Sequence, residues 1–382
     1  MKHLSIAIVG AGIGGLAAAT LLRRAGHDVH VFEQAAQFAR VGAGIQMAPN
    51  AMKVLRLLGV EEQLVNKAFQ ADYALSRAWD TGEPSSELPL GESVAKEFGA
   101  PYLFLHRADL HAALASLVPS DHVHLNMKLK FFDQKANGVD LHFTNGVMIK
   151  ADAVIGADGV HSLIREQMLG PEKPRFTGRV AYRTTFPASR IKGVTMAPVR
   201  TKWWGADRHM VVYFVKRNRD ELYFVTSVPE RAEWMTPESW SAKGDLEELR
   251  AAYAGFHPEV QAILQACPEV YKWALFERDP LPRWSEGRIA LLGDACHPMT
   301  PYMAQGAASA LEDAAILSRV LTGVEADGLA AAFKLYEAIR KPRASAIQAG
   351  SSANTWLKGK TDPSWVYGYD STTVPLREPE AA

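Results

Sequence analysis

The feature that most constrains this chain is Gly10-Ala11-Gly12-Ile13-Gly14-Gly15, set between an apolar run and a helix-forming stretch. Leu4, Ile6, Ile8 and Val9 make a run of buried-strand length. LAAATLLRRAG follows the glycines with helical patterning and closes at Gly26. A second apolar strand, Val29 to Phe32, ends in Glu33. Strand, G-x-G-x-x-G, helix, strand and an acid about 20 residues on complete the dinucleotide-binding fingerprint in order. Gly10 permits the tight turn, Gly12 lets backbone approach a pyrophosphate, and Gly15 lets the helix pack closely on the strand. Unpaired N–H groups at the helix start then meet phosphate charge, and Glu33 accepts hydrogen bonds from a ribose. Gly42-Ala43-Gly44 follows no apolar strand, so the sequence carries one complete fingerprint, which by itself fits FAD or NAD.

At 382 residues the chain has room for two or three domains and a sizeable core. Forty-two basic residues balance 42 acidic ones, which argues against a nucleic-acid binder held by a broad positive field. No apolar run is long enough to span a membrane, and MKHLSIAIVG enters the motif without a cleavable signal. Two cysteines, Cys267 and Cys296, supply neither a disulfide framework nor a metal cage. A cytoplasmic enzyme without metal, nucleic-acid or membrane partners is the expectation.

Two later segments echo the first. AVIGADGVHSLIR (153–165) is an apolar strand followed by Asp158-Gly159 and a helix start. RIALLGDACHPMTPYMAQGAASALEDA (288–314) is a strand, then Gly293-Asp294, a proline-rich loop, and a helix opening at Gly306. Both place an aspartate at the C-terminal end of a strand, where ligands gather in open α/β sheets. Asp294 suits a ribityl or ribose hydroxyl, and the N–H groups of Gly306 and Ala307 suit partial negative charge. Between them, VVYFV, KRNRDE and LYFVTSV read as a β-hairpin in an aromatic-rich region, while TGEPSSELPLGES (81–93) reads as a polar loop. The fold class is α/β plus β: a Rossmann-like nucleotide domain (1–75, 100–175 and 277–355) with an inserted antiparallel-sheet domain (76–99 and 176–276). A C-terminal helix and a tail (356–382) complete it.

The trio GAGIGG with Glu33, Asp158-Gly159 and GDACHPMTPYMAQGA resembles the single-component FAD-dependent aromatic hydroxylases, the p-hydroxybenzoate and salicylate hydroxylase group. The likeness runs from residue 1 to about 350. LHRADLHAAL (105–114) fits the family's Arg-x-x-Leu helix, implying that Arg107 approaches the FAD pyrophosphate. The resemblance further implies FAD contacts for Gly14, Gln34, Gln46, Met47 and Leu129. It implies NADH or NADPH as a transient reductant, O₂ as co-substrate, and oxygen transfer to an electron-rich ring; it leaves room for a homodimer. GAGIQMAPNAMKVLRLLG (42–59) and the stretch from Trp203-Trp204 to Tyr213 are most similar to members acting on hydroxypyridine acids. That implies attack at the carboxyl-bearing carbon with loss of CO₂. Salicylate or another hydroxybenzoate is the alternative substrate, and a non-catalytic flavin-binding redox sensor is the alternative class. The family usually has Gly-Gln-Gly before the last helix; here position 304 is Ala, tolerable unless positive φ is required.

His209 and Tyr213 are the leading catalytic candidates. Positions i and i+4 on a strand share a face about 13 Å apart, a separation suited to gripping opposite ends of a ring. His209 would bond a ring oxygen or carboxylate, and Tyr213 would serve as hydroxyl partner or proton relay. Met47 would help keep the flavin side dry, and Tyr302 would close another wall. Thr226 and Ser227 are weaker candidates for a carboxylate. His297, Cys296 and the group Tyr336, Glu337, Arg340 and Arg343 read as structural, and Trp203 and Trp204 as core.

Overall fold

The computed structural model describes residues 3–38, 43–231, 242–356, 358 and 361–377; Gly42 lies outside them. The run after Leu4 forms the strand Ser5–Val9, inside a six-stranded sheet. Its spatial order is Ser285–Glu286, Ile289–Leu291, Ala153–Gly156, Ser5–Val9, Asp28–Phe32 and Val123–His124. Every neighbour is parallel except the first pair. Parallel strands are stable when both faces are covered, which explains the buried run and the helix after it. Gly10 sits at φ +107°, and a Cβ there would lie 2.3 Å from the Ala157 carbonyl oxygen. A Cβ on Gly15 would lie 2.1 Å from the Gly10 carbonyl oxygen, so helix Ile13–Arg24 seats against the turn only because that atom is missing. Gly14 serves a different contact: its Cβ would strike Leu292 at 2.5 Å and Ala310 at 3.0 Å, where helix Gly306–Leu321 packs.

The second sheet has seven strands, in order Tyr271–Glu277, Arg175–Pro187, Glu221–Pro229, His209–Phe214, Arg200–Trp204, Tyr73–Ala78 and Pro84–Pro89. It is antiparallel apart from the pairing of Arg200–Trp204 with Tyr73–Ala78. The expected hairpin forms, in register from His209↔Ser227 to Phe214↔Leu222, with Arg219 at φ +59° in its turn. The polar loop expected over 81–93 is corrected in part: Pro84–Pro89 is an edge strand. Its prolines and mostly exposed side chains are what an unpaired sheet edge tolerates, so composition alone concealed it.

Side-chain alternation sorts the second sheet into two faces. Trp203 points to one, stacked on His257 at 4.9 Å, where helices Leu246–Ala252 and Pro258–Ala266 lie. Arg200, Lys202 and Trp204 share the other face with His209, Val211 and Tyr213, which lie opposite them in the ladder. That face looks toward strand Gly44–Met47: a Cβ on Gly44 would come within 2.7 Å of the Tyr223 ring.

A buried ionic cluster fixes the loop between the two sheets. Asp313 is fully buried; its Oδ1 accepts from Arg340 Nε (2.8 Å), and its Oδ2 accepts from the Gly293 N–H (3.0 Å) and from His297 Nε2 (2.5 Å). Glu312 accepts both arms of the Arg343 fork (2.8 and 2.9 Å) and an N–H of Asn50 (2.6 Å). Burial opposes ionisation of both acids, but His297 and Arg340 beside Asp313, and Arg340 and Arg343 beside Glu312, hold them below the ordinary carboxylate range. Tyr336 donates to the Leu291 carbonyl (3.0 Å), and Glu337 accepts from Ser285 (2.7 Å), so all four polar residues picked out in this helical segment bond to protein. Removing one partner of a buried ion pair strands the others. Asp313→Ala is therefore expected to lower unfolding free energy by about 3–5 kcal/mol, measured by urea denaturation; a change below about 1 kcal/mol would show that the cluster is not structural.

Candidate active site

The nucleotide side assembles from four chain segments. At the Gly10–Gly12 turn, Glu33 Oε2 accepts the Ala11 N–H (2.9 Å) while its Oε1 accepts that of Ala35 (2.9 Å). Gln34 follows, exposed. Gly12 caps helix Ile13–Arg24, and a Cβ there would meet nothing within 4 Å, leaving open space before the helix N-terminus. Helix Arg107–Ala115 comes alongside through His111, bonded to the Ala11 carbonyl (2.8 Å). Its Arg107 lies in the field of Asp294; burial lowers the guanidinium's pKa and Asp294 opposes that. The surrounding protein in turn pushes the Asp294 carboxyl up, with His297 and Arg107 pulling it down. Helix Gly306–Leu321 begins next to Asp294, whose Oδ1 is 3.9 Å from a Cβ built on Gly306, with Ala307 one residue further.

These groups fit FAD chemically. A helix N-terminus with open space and an arginine match a pyrophosphate, while Glu33 and Asp294 are carboxylates suited to ribose and ribityl hydroxyls. Asp158 has a structural task as well: its Oδ2 accepts the N–H groups of Leu163 (2.9 Å) and Ile164 (3.2 Å). Its Oδ1 is buried without a partner among the described residues. Leu129 opens strand Leu129–Lys135 and packs in the nucleotide-side core.

A cavity beside the second sheet is lined by Gln46, Tyr102, Arg200, Lys202, His209 and Tyr302, closed further by Val211, Trp356 and Tyr367. His209 packs edge-on against Tyr302, ring centroids 5.4 Å apart, and beside Trp204 at 5.1 Å. Burial, reinforced by Lys202, Arg179 and Arg200, holds its imidazole well below the usual histidine range, so it is neutral at pH 7. Tyr302 shares a hydrogen bond with Ser227 (2.9 Å), and Arg179 Nε donates to the same Ser227 hydroxyl (2.7 Å).

Two candidates stand elsewhere than the sequence reading put them. Met47 is fully buried in the nucleotide-side core and does not line the cavity. Strand alternation accounts for this, since Gln46 faces the cavity and its neighbour must face away. Tyr213 is not in the wall either; it lies behind Gln46, hydrogen-bonded to it and packed on Phe104 (4.9 Å) and Tyr223 (5.1 Å). Tyr102 donates to Gln46 Oε1 (2.9 Å) and is hydrogen-bonded to Tyr367, so the Gln46 amide is held by two tyrosines. Burial pushes Tyr213 well above the usual phenol range and Tyr102 up to about 12, which keeps both protonated. Thr226 lines the cavity but its hydroxyl is engaged, accepting the Tyr182 N–H (2.9 Å), whereas Ser227 is not in the wall and bonds to Tyr302 instead. Cys296 is buried, and burial raises its thiol well above the ordinary range, which makes it a poor nucleophile.

Sequence reading missed Arg200, Lys202, Tyr102 and Tyr367. The signal for the first two was present: RTKWW alternates cation and packing residue with a period of two. Tyr367 sits in the short helix Ser364–Tyr367, within the segment expected to be a tail, and is buried against Tyr102 and Phe98.

Residues 3–351 match the family model described as FAD binding domain. The chain belongs to this FAD-binding family. Its 6-hydroxynicotinate 3-monooxygenase relative from Bordetella bronchiseptica is 48% identical over 373 residues, spanning 98% of this chain and 97% of that one. The relative of the same name from Pseudomonas fluorescens is 50% identical over 376 residues, with 98% and 97% covered. Among solved structures, a salicylate hydroxylase substrate complex matches with a TM-score of 0.84 and 25% identity, covering 100% of this chain and 99% of that one. This family member is an FAD-dependent aromatic-ring monooxygenase.

At the family's Gly-Gln-Gly position, Ala304 adopts φ +54°, ψ +36° and so does occupy the left-handed region. That conformation costs an L-residue roughly 1–2 kcal/mol, partly offset by the smaller unfolded-state freedom of alanine. Ala304→Gly should therefore raise stability by about 0.5–1 kcal/mol in chemical denaturation; lower stability would contradict the strain. For His209, the folded pKa lies below the unfolded one, so its neutral burial costs stability only as pH falls below about 6.5. Its Cε1–H resonance should stay flat from pH 8 to about 6, and a titration midpoint inside that window would refute the neutral assignment.

Proposed function

We propose that this monooxygenase converts 6-hydroxynicotinate to 2,5-dihydroxypyridine and CO₂, using O₂ and NADH or NADPH. The observation that carries this reading is end-to-end identity of about one half with two relatives bearing that name. In this reading residues 1–75, 100–175 and 277–355 hold the cofactor and 76–99 with 176–276 supply the sheet beneath the substrate, while Gln46, Tyr102, Tyr302 and Tyr367 close the cavity from outside that sheet segment. FAD supplies hydride acceptance and oxygen activation, chemistry that belongs to the cofactor. A C–O bond forms at the ring carbon bearing the carboxylate, and the C–C bond to that carboxylate breaks as CO₂ leaves; the second oxygen atom of O₂ leaves as water, reduced by the two electrons of NADH or NADPH.

The chain's own residues prepare the ring for this. Electron release from the ring oxygen requires it to lose its proton, and the neutral His209 imidazole offers an acceptor nitrogen at the cavity wall. Tyr213 is a positioning residue: with Tyr102 it orients Gln46, the polar group presented from the cofactor-side strand. Tyr302, Val211 and Trp356 exclude water from the ring.

Purified yellow protein should oxidise NADH or NADPH in a 6-hydroxynicotinate-dependent manner, with one CO₂ and one 2,5-dihydroxypyridine per turnover. His209→Asn should lower kcat/KM by roughly 100-fold with the bound-flavin spectrum intact. The salicylate hydroxylase likeness over the whole chain favours a benzoic acid as second reading. Coupled turnover of salicylate with no product from 6-hydroxynicotinate would establish that alternative and overturn the first.

A further inference from the structure

Arg200 and Lys202 are 5% and 1% exposed, buried enough that an unmatched charge is costly. Both line the substrate cavity, yet among its described lining residues there is no Asp or Glu. The Nε and Nη1 atoms of Arg200 are buried without a hydrogen-bond partner among the described residues. Neighbouring Arg179 differs: its Nε donates to Ser227, and its Nη2 to the Asp207 and Ser227 carbonyls (2.6 and 3.1 Å). The Lys202 Nζ lies 3.7 Å from the centre of the Trp204 ring, a contact that steadies a cation without neutralising it. Burial, with Arg200 adding to it, holds the Lys202 ammonium well below the usual lysine range. An arriving anion would reverse that effect.

The two cations share one strand and one face. Residues i and i+2 stand about 7 Å apart, the scale of one substituted aromatic ring. Across the ladder Lys202 is opposite Val211, with His209 beside it on the same strand face. On the other side the facing residues are small, Ala74 and Ser76, which leaves room above the cations. A protein that buries a guanidinium and an amine around an acid-free cavity, with guanidinium donors unused, has left their partner to the ligand.

We propose that Arg200 and Lys202 form the anion subsite of this pocket, selecting aromatic substrates as carboxylates and rejecting their neutral counterparts. This rests on the reading of the cavity as the substrate site, and it names the residues and the charge state that the site requires. Arg200, with its fork of unused donors, takes the carboxylate; Lys202 supplies the second positive charge, at the end of the ring nearer His209.

The test uses FAD-loaded enzyme and the flavin absorbance change on titration with two matched pairs. These are 6-hydroxynicotinate with 6-hydroxynicotinamide, and 3-hydroxybenzoate with 3-hydroxybenzamide. Wild-type enzyme should bind an acid at least roughly 100-fold more tightly than its amide. Arg200→Met should weaken acid binding by roughly 100-fold and Lys202→Met by roughly 10-fold, while amide binding stays within about 3-fold. Arg200→Lys should recover part of the acid preference, and an unchanged bound-flavin spectrum shows that each variant has kept its fold. Equal losses for acid and amide, no loss at all, or failure of every acid to bind wild-type enzyme would overturn the subsite. An Arg200-dependent preference seen only with the benzoate pair would keep the subsite and sink the 6-hydroxynicotinate reading. Turnover of 6-hydroxynicotinate with unchanged KM in both variants would do the opposite.

Discussion

The contact on which the rest depends is the buried meeting of Asp313 with Arg340, His297 and the Gly293 N–H. It joins two helices to the turn after strand Ile289–Leu291, and that turn carries Asp294 toward the nucleotide cleft. The loop beyond it is pinned again by Gln348, which donates to the Pro298 carbonyl, and by Ser351, which donates to that of Thr300. One short loop therefore presents Asp294 to the nucleotide side and Tyr302 to the cavity. Its rigidity comes from charges with no solvent to screen them.

The second sheet contributes by alternation. Its residues facing the helices are packing groups such as Trp203, and its residues facing the nucleotide half include those that line the cavity. Because side chains alternate strictly along a strand, a single register fixes which polar groups meet in the cavity. The same rule seats Gln46 at the wall and sends Met47 into the core.

Much of the nucleotide half was legible in the sequence because its signals are local. A glycine that must be a glycine announces itself, and Gly10 and Gly15 are required by backbone atoms close by in space. The hairpin was equally readable, since a charged turn between two apolar alternating runs leaves few options. The cavity was harder because its walls come from distant segments. His209 and Tyr302 were found through resemblance and chemistry, whereas Tyr102 and Tyr367 approach each other only through the fold. The edge strand Pro84–Pro89 was hidden for a related reason: its exposed, proline-bounded residues look like a loop until a neighbour pairs with them. Arg200 and Lys202 were passed over because cations in a strand are ordinarily read as solvent-facing.

The strand Arg200–Trp204 keeps its two duties on separate residues: Thr201 and Trp203 anchor it, while Arg200 and Lys202 line the cavity, with Trp204 beneath the Lys202 ammonium. Natural variation can therefore rewrite the even-numbered members, and with them the menu of acceptable guest molecules, without loosening the scaffold that displays them.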